Sequence, residues 1–288
     1  MKLVGRIADW VARGAGPRMV DRVIVETDKV KDIAVEAAQR IREAISPLPL
    51  LRSIIPRVAG STGLPIIGAG IRDILTGLGD VLSSFMAVKT IERFNLVSFP
   101  ATISMVEELE SDRRIRKIYP DRVMWALQYP TVPQQGIYTD KVTGAEFTTT
   151  EWTRKLIGAD KANLEGYTGR GIKVAVIDTA AVPQHRSISH AIGRTAIRGL
   201  YSDENGHGHW CAACIGGKPY IDPVYNVQTQ GIAPDCQLFT IKALGFVIGF
   251  GNESDILEAM DMAARFGCKI VSMSLGSEEV PENPEDDP

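Results

Sequence analysis

GIKVAVIDTAAVPQHRSISHAIGRTAIRGLYSDENGHGHWCAACIGG, residues 171–217, decides how the chain is read. Its run from Ile172 to Ile177, apart from Lys173, is apolar and rich in β-branched residues, and it lacks period-2 alternation. That pattern predicts a strand buried on both faces of a parallel sheet, and with it an α/β class. Asp178 stands at the carboxyl end of the strand, where open parallel sheets place their chemistry. NGHG then leads into the small-residue run CAACIGG, which suits a helix packed closely on the sheet. Asp178 and His207 can thus meet at one sheet edge, the carboxylate fixing the imidazole tautomer and stabilising its cation. They would be two parts of a nucleophilic triad.

The same segment admits a metal reading. His207, Cys211 and Cys214 fall at i, i+4 and i+7, one face of a helix, and His with Cys at that spacing can hold zinc, although no fourth ligand is evident. His185 and His190 read as surface or local packing residues, and His209 and Trp210 as packing or rim residues. Buried thiols are the expected state of the four cysteines. Cys236 and Cys268 each precede an expected strand.

A resemblance joins these blocks. VAVIDT around Asp178, NGHG-x-x-x-A around His207, GIAPDCQLFTIKAL (231–244) and AARFGCKIVSMSLGS (263–277) resemble, in order, four segments of the subtilisin-like serine proteases. The resemblance implies that Asp178 and His207 are catalytic and that a serine completes the triad. It implies too that Cys236 and Cys268 begin neighbouring strands, where a disulfide is possible. It also implies that Gly249, Phe250 and Gly251 form one substrate-binding edge and Ser274, Leu275 and Gly276 the other, with an extended peptide or protein substrate pairing between them. The sequence departs from the family at Ala180, where glycine is usual, and at His209 and Trp210, where Thr-His is usual. No GTSMA-type serine block occurs in residues 1–288, so this polypeptide by itself is expected to be inactive. No cofactor is implied apart from the family's calcium, whose ligands cannot be placed; Ser187 stands where an acidic residue is common.

Upstream, the chain length gives a prior of about two domains. VDRVIVET (20–27) alternates like a strand, and Ile33, Ala37, Ile41 and Ile45 form a helical stripe. A second strand is expected at 91–101, a helix capped by Thr102 after it, and a third strand region at 115–127. This order resembles the inhibitory propeptide of subtilases, a small α+β domain. The resemblance implies that its end lies in the cleft, with Leu127–Gln128 as the maturation site.

The expected architecture is therefore a partial subtilisin-like parallel sheet with helices (152–288), preceded by a propeptide-like α+β domain (20–127) and a linker (128–151). Residues 1–19 predict a short amphipathic helix and do not read as a secretory signal, because Arg6, Asp9 and Arg13 interrupt the apolar core. Residues 46–88 read as an apolar insertion, a possible surface for homo-oligomer contact. Its longest uncharged run, Val58–Ile71, is too short and too rich in Gly to span a bilayer. These features, with the lack of a serine block, leave a second expectation: a non-catalytic self-assembly protein derived from a subtilase.

The net charge of −3 argues against a nucleic-acid partner. Residues 1–120 carry 18 Lys/Arg against 14 Asp/Glu, a net +4, and the remainder carries 14 against 21, a net −7. Opposite signs favour docking of one part on the other.

Overall fold

The computed structural model describes residues 20–45, 87–127, 137–139, 146–223, 226–245, 249–277, 283 and 287–288. The amphipathic segment 1–19, the insertion up to residue 86 and Gln128 lie outside the described residues.

The N-terminal part holds strands β1 (Val20–Thr27), β2 (Lys89–Ile91), β3 (Leu96–Thr102) and β4 (Ile115–Pro120), with helices α1 (Val30–Ile45) and α2 (Ile103–Ser111). They form one antiparallel sheet in the order β2-β3-β1-β4. Period-2 alternation decides what each face meets. Val23 and Val25 pack with Val30, Ile33 and Ala37 of α1 and with Ile103 and Val106 of α2. Ile24 turns the other way, onto a cluster with Ile91, Leu96 and Tyr119. Thr102 caps α2 by accepting from the Met105 amide. After Pro120 a short strand, β5 (Val123–Ala126), leaves this domain.

The stretch expected as linker holds more structure than its composition suggests. Strands β6 (Ile137–Thr139) and β7 (Glu146–Thr148) pair as a hairpin, and α3 (Thr150–Leu156) already begins before residue 152. Three-residue strands are too short for alternation to show in the sequence. Helix α4 (Ala159–Leu164) follows, with Gly166 in the left-handed region at φ 96°.

The C-terminal part is built on four parallel strands: β8 (Lys173–Asp178), β9 (Ile192–Thr195), β12 (Gln237–Lys242) and β14 (Ile270–Met273). Their order is β14-β8-β12-β9. Around them lie α5 (His207–Gly216), the hairpin β10 (Tyr220–Ile221) and β11 (Gln228–Thr229), β13 (Phe250–Asn252), α6 (Glu253–Arg265) and β15 (Leu275–Gly276). Both faces of the sheet are covered, as parallel strands require. Val174 and Val176 pack with Cys211 and Ala212 of α5. Ala175 and Ile177 pack with Ile256, Ala259 and Ala263 of α6.

The strand order corrects one expectation. β8 lies between β12 and β14, so Cys236 and Cys268, at the starts of those two strands, are not on neighbouring strands. All four cysteines are free.

Helix α6 is the layer the two parts share, since Leu257 and Met260 join the Ile24 cluster of the N-terminal sheet. Its carboxylates meet N-terminal cations: Lys89 with Asp255, Arg93 with Asp261 and Arg122 with Glu253. Two of these pairs, from Lys89 and Arg93, join the net-positive part of the sequence to the net-negative part. Asp121 completes the joint. Its carboxylate accepts from the Ser254 amide at 2.8 Å, Ser254 Oγ at 2.6 Å, Ser98 Oγ at 2.8 Å and Arg22 Nε at 2.8 Å.

Candidate active site

Alternation along β8 aims Asp178 at helix α5. Val174 and Val176 face α5, and residue 178 continues that parity at the strand's carboxyl end. Helix α5 begins with His207 at the same edge. His207 Nδ1 lies 2.9 Å from Asp178 Oδ1 and 3.0 Å from Oδ2. Asp178 is buried and also accepts from the Thr179 amide at 2.7 Å.

The close approach of α5 to the β8 edge depends on Gly208. A Cβ there would lie 2.2 Å from the Ala180 carbonyl oxygen and 2.9 Å from its amide nitrogen, and backbone atoms cannot yield. Ala180 itself sits at φ 112°, where glycine is the easy residue. The family's usual glycine at this position has that physical basis.

The other ring nitrogen, His207 Nε2, lies 2.8 Å from the Leu127 carbonyl oxygen. Leu127 follows β5, which runs antiparallel between β13 and β15 as the middle strand of three. Phe250 opposes Trp125 and Gly251 opposes Met124; Leu275 opposes Ala126 and Gly276 opposes Trp125. The Ala126 amide donates to Gly249 O and the Leu127 amide to Ser274 O, each at 2.9 Å. The structure therefore brings Leu127, Gly249, Phe250, Gly251, Ser274, Leu275 and Gly276 to one cleft beside Asp178 and His207. Around Ala126 the cleft is tight: a Cβ on Gly249 would lie 3.2 Å from Ala126 Cβ, 3.2 Å from Thr179 Cγ2 and 3.3 Å from Asn205 Nδ2.

Among the described residues, the one cluster of at least three metal-ligating side chains within reach of one another is Asp178, His207 and Cys211. Cys214 is not part of it, so the ligand face read from the spacing is not the one formed. Burial, with the Asp178 charge beside it, pushes the Cys211 thiol up to about 12, and burial pushes Cys214 up to about 11. Both are therefore neutral thiols that pack.

Ser187, which stands where an acidic residue is common in the family, makes local contacts. Its hydroxyl is 2.8 Å from His185 Nδ1 and its carbonyl accepts the Lys218 amide at 2.7 Å.

His209 accepts the Val182 amide at Nδ1, 3.1 Å, and stacks edge-on against His185 with centroids 5.0 Å apart. Burial and the neighbouring His185 hold the His209 imidazole below the usual range. Trp210 is exposed on the rim, its ring centroid 6.3 Å from that of His207. Thr179, Asp203 and Asn205, which secure the start of α5, carried no catalytic signature in the sequence. The SDENG segment offered only a turn signal.

Residues 169–287 match the model of the subtilase family. The minor extracellular protease Epr of Bacillus subtilis is 36% identical over 129 residues, 44% of this chain and 19% of that protein. Subtilisin DY of Bacillus licheniformis is 33% identical over 123 residues, 42% and 43% of the two chains. Subtilisin Savinase of Lederbergia lenta is 32% identical over 128 residues, 44% and 45%. The matched segments thus span less than half the length of these relatives. The solved structure of fervidolysin from Fervidobacterium pennivorans, a keratinolytic enzyme related to subtilisin, superposes with a TM-score of 0.52. It is 15% identical, and the likeness covers 91% of this chain and 36% of that one, which establishes the shared fold. From residue 169 to 287, the chain is similar to the subtilisin-like serine proteases of the subtilase family, and its fold is theirs.

Proposed function

We propose that residues 1–288 form the precursor half of a subtilisin-like serine endopeptidase, with its own N-terminal domain seated in the substrate cleft. The contact that carries this reading is His207, held between the Asp178 carboxylate and the Leu127 carbonyl. Asp178 orients His207 and stabilises the imidazolium. His207 takes the proton of a serine hydroxyl as that hydroxyl attacks a peptide carbonyl. Residues 1–288 contain no GTSMA-type serine block, so the serine that His207 would serve is not assigned within them.

The extended peptide or protein substrate lies where β5 lies, paired to Gly249–Gly251 on one side and Ser274–Gly276 on the other. Ala126 marks a position for a small side chain, and Leu127 the residue before the bond that is cut. Leu127–Gln128 is thus the proposed maturation site. The docked strand inhibits by occupying the base. The Leu127 carbonyl lies 2.8 Å from Nε2, the nitrogen that would receive the serine proton.

The test is a peptidase assay of residues 1–288 on unstructured peptides, with His207→Ala as control. No turnover dependent on His207 is expected, because an Asp–His pair without its nucleophile loses the covalent step. Turnover abolished by His207→Ala would refute the reading.

A further inference from the structure

We propose that Asp203 is a positioning residue that fixes His207 to the strand end bearing Asp178; the proposal rests on the reading of Asp178 and His207 given above. The start of α5 shows why one is needed. His207 is the first residue of the helix, where amides have no intrahelical acceptor, and the residue before it, Gly206, has no side chain to cap them. Three other side chains serve instead. The His207 amide donates to Asn205 Oδ1 at 3.1 Å, the Gly208 amide to Thr179 Oγ1 at 2.8 Å and the His209 amide to Asp203 Oδ2 at 2.9 Å.

Asp203 does more than cap. Its Oδ1 accepts the Gly206 amide at 2.8 Å and the Asn205 amide at 3.3 Å, which sets the loop into the helix. The same oxygen accepts the Thr179 hydroxyl at 2.9 Å. Thr179 is buried beside Asp178, and its single hydroxyl proton is committed to Asp203, so its lone pair is free to receive Gly208. The polarity of this relay is fixed: Asp203 orients Thr179, Thr179 holds the first turn of α5, and His207 heads that turn. An anion at a helix N-terminus is also favoured by the helix dipole. Glu204, next in sequence, belongs to a different anchor: Lys242 Nζ donates to Glu204 Oε2 at 2.8 Å and to the Ser202 carbonyl at 2.7 Å.

The experiment is proton NMR of the full chain labelled with ¹⁵N-histidine, following the low-field Nδ1 proton of His207 and its exchange with water. The assignment comes from its loss in His207→Asn. Asp203→Ala and Thr179→Val should each speed that exchange roughly five- to tenfold, the effect of one hydrogen bond, with far-UV circular dichroism unchanged. Thr179→Ser should restore the wild-type rate, and Glu204→Gln should leave it in place. If Asp203→Ala fails to fold, Thr179→Val with its serine rescue decides the same question. A wild-type signal that neither Asp203→Ala nor Thr179→Val alters overturns the positioning role alone, as does an equal effect from Glu204→Gln. A wild type without the low-field proton overturns the Asp178–His207 reading and the positioning role with it.

Discussion

Replacing Asp121 by alanine should destabilise both parts of the protein at once. The carboxylate receives four hydrogen bonds, from the Ser254 amide and hydroxyl, Ser98 Oγ and Arg22 Nε. Arg22 is 1% exposed and also bonds to the Ala87 carbonyl and Ser98 Oγ. Removing Asp121 takes this counter-charge from a buried guanidinium, a loss of about 3–5 kcal/mol. The Ser254 amide, in the first turn of α6, loses its acceptor as well, adding ~1 kcal/mol. Against a typical total of about 5–15 kcal/mol, that is a large fraction. Asp121→Asn keeps the shape and should lose less, while Asp121→Leu combined with Arg22→Met should recover most of the stability. Urea unfolding measures the loss, and hydrogen exchange at the Ser254 amide shows where it falls. A stability within ~1 kcal/mol of wild type, with that amide still protected, would refute the reasoning.

Two further outcomes follow from single residues. Burial in the joint draws Lys89 down from 10.5 to about 7, aided by the Arg22 guanidinium and opposed by Asp121. A group with a depressed folded pKa contributes stability that is greatest above its unfolded value and is lost as pH falls through the folded one. Wild type should therefore lose stability from about pH 10 to pH 7 relative to Lys89→Met, by at most ~1.4 kcal/mol per pH unit, in urea melts across that range. Ala180→Gly should stabilise the chain by ~1 kcal/mol, because φ 112° strains a residue with a Cβ; an unchanged or lower thermal midpoint would contradict that.

The meeting of Asp178 and His207 was legible from an aperiodic apolar strand with a carboxylate at its end and the NGHG block that follows. An apolar strand ending in Asp178 and a small-residue helix headed by His207 leave few ways to pack, and parity along β8 sets the carboxylate on the α5 side. What was not legible depended on topology or on very short elements. The hairpin β6–β7 has three-residue strands, too brief for a pattern. The separation of Cys236 from Cys268 follows from β8 lying between their strands, which no local spacing encodes. Asp203 and Thr179 are 24 residues apart, and only the fold reveals that they bond. The cysteines at 211 and 214 share a helical repeat, yet Cys211 alone reaches the Asp178–His207 pair.

Hydrogen exchange at the Ala126 and Leu127 amides tests most directly whether β5 occupies the cleft. These amides donate to Gly249 O and Ser274 O, partners more than 120 residues away in sequence, and both carbonyls belong to the segments flanking β5. The account predicts that both amides exchange far more slowly than an unstructured chain, and that Gly249→Pro or Ser274→Pro exposes them while the β1–β4 sheet stays protected. Exchange of both at the unstructured rate in the wild-type chain would contradict it.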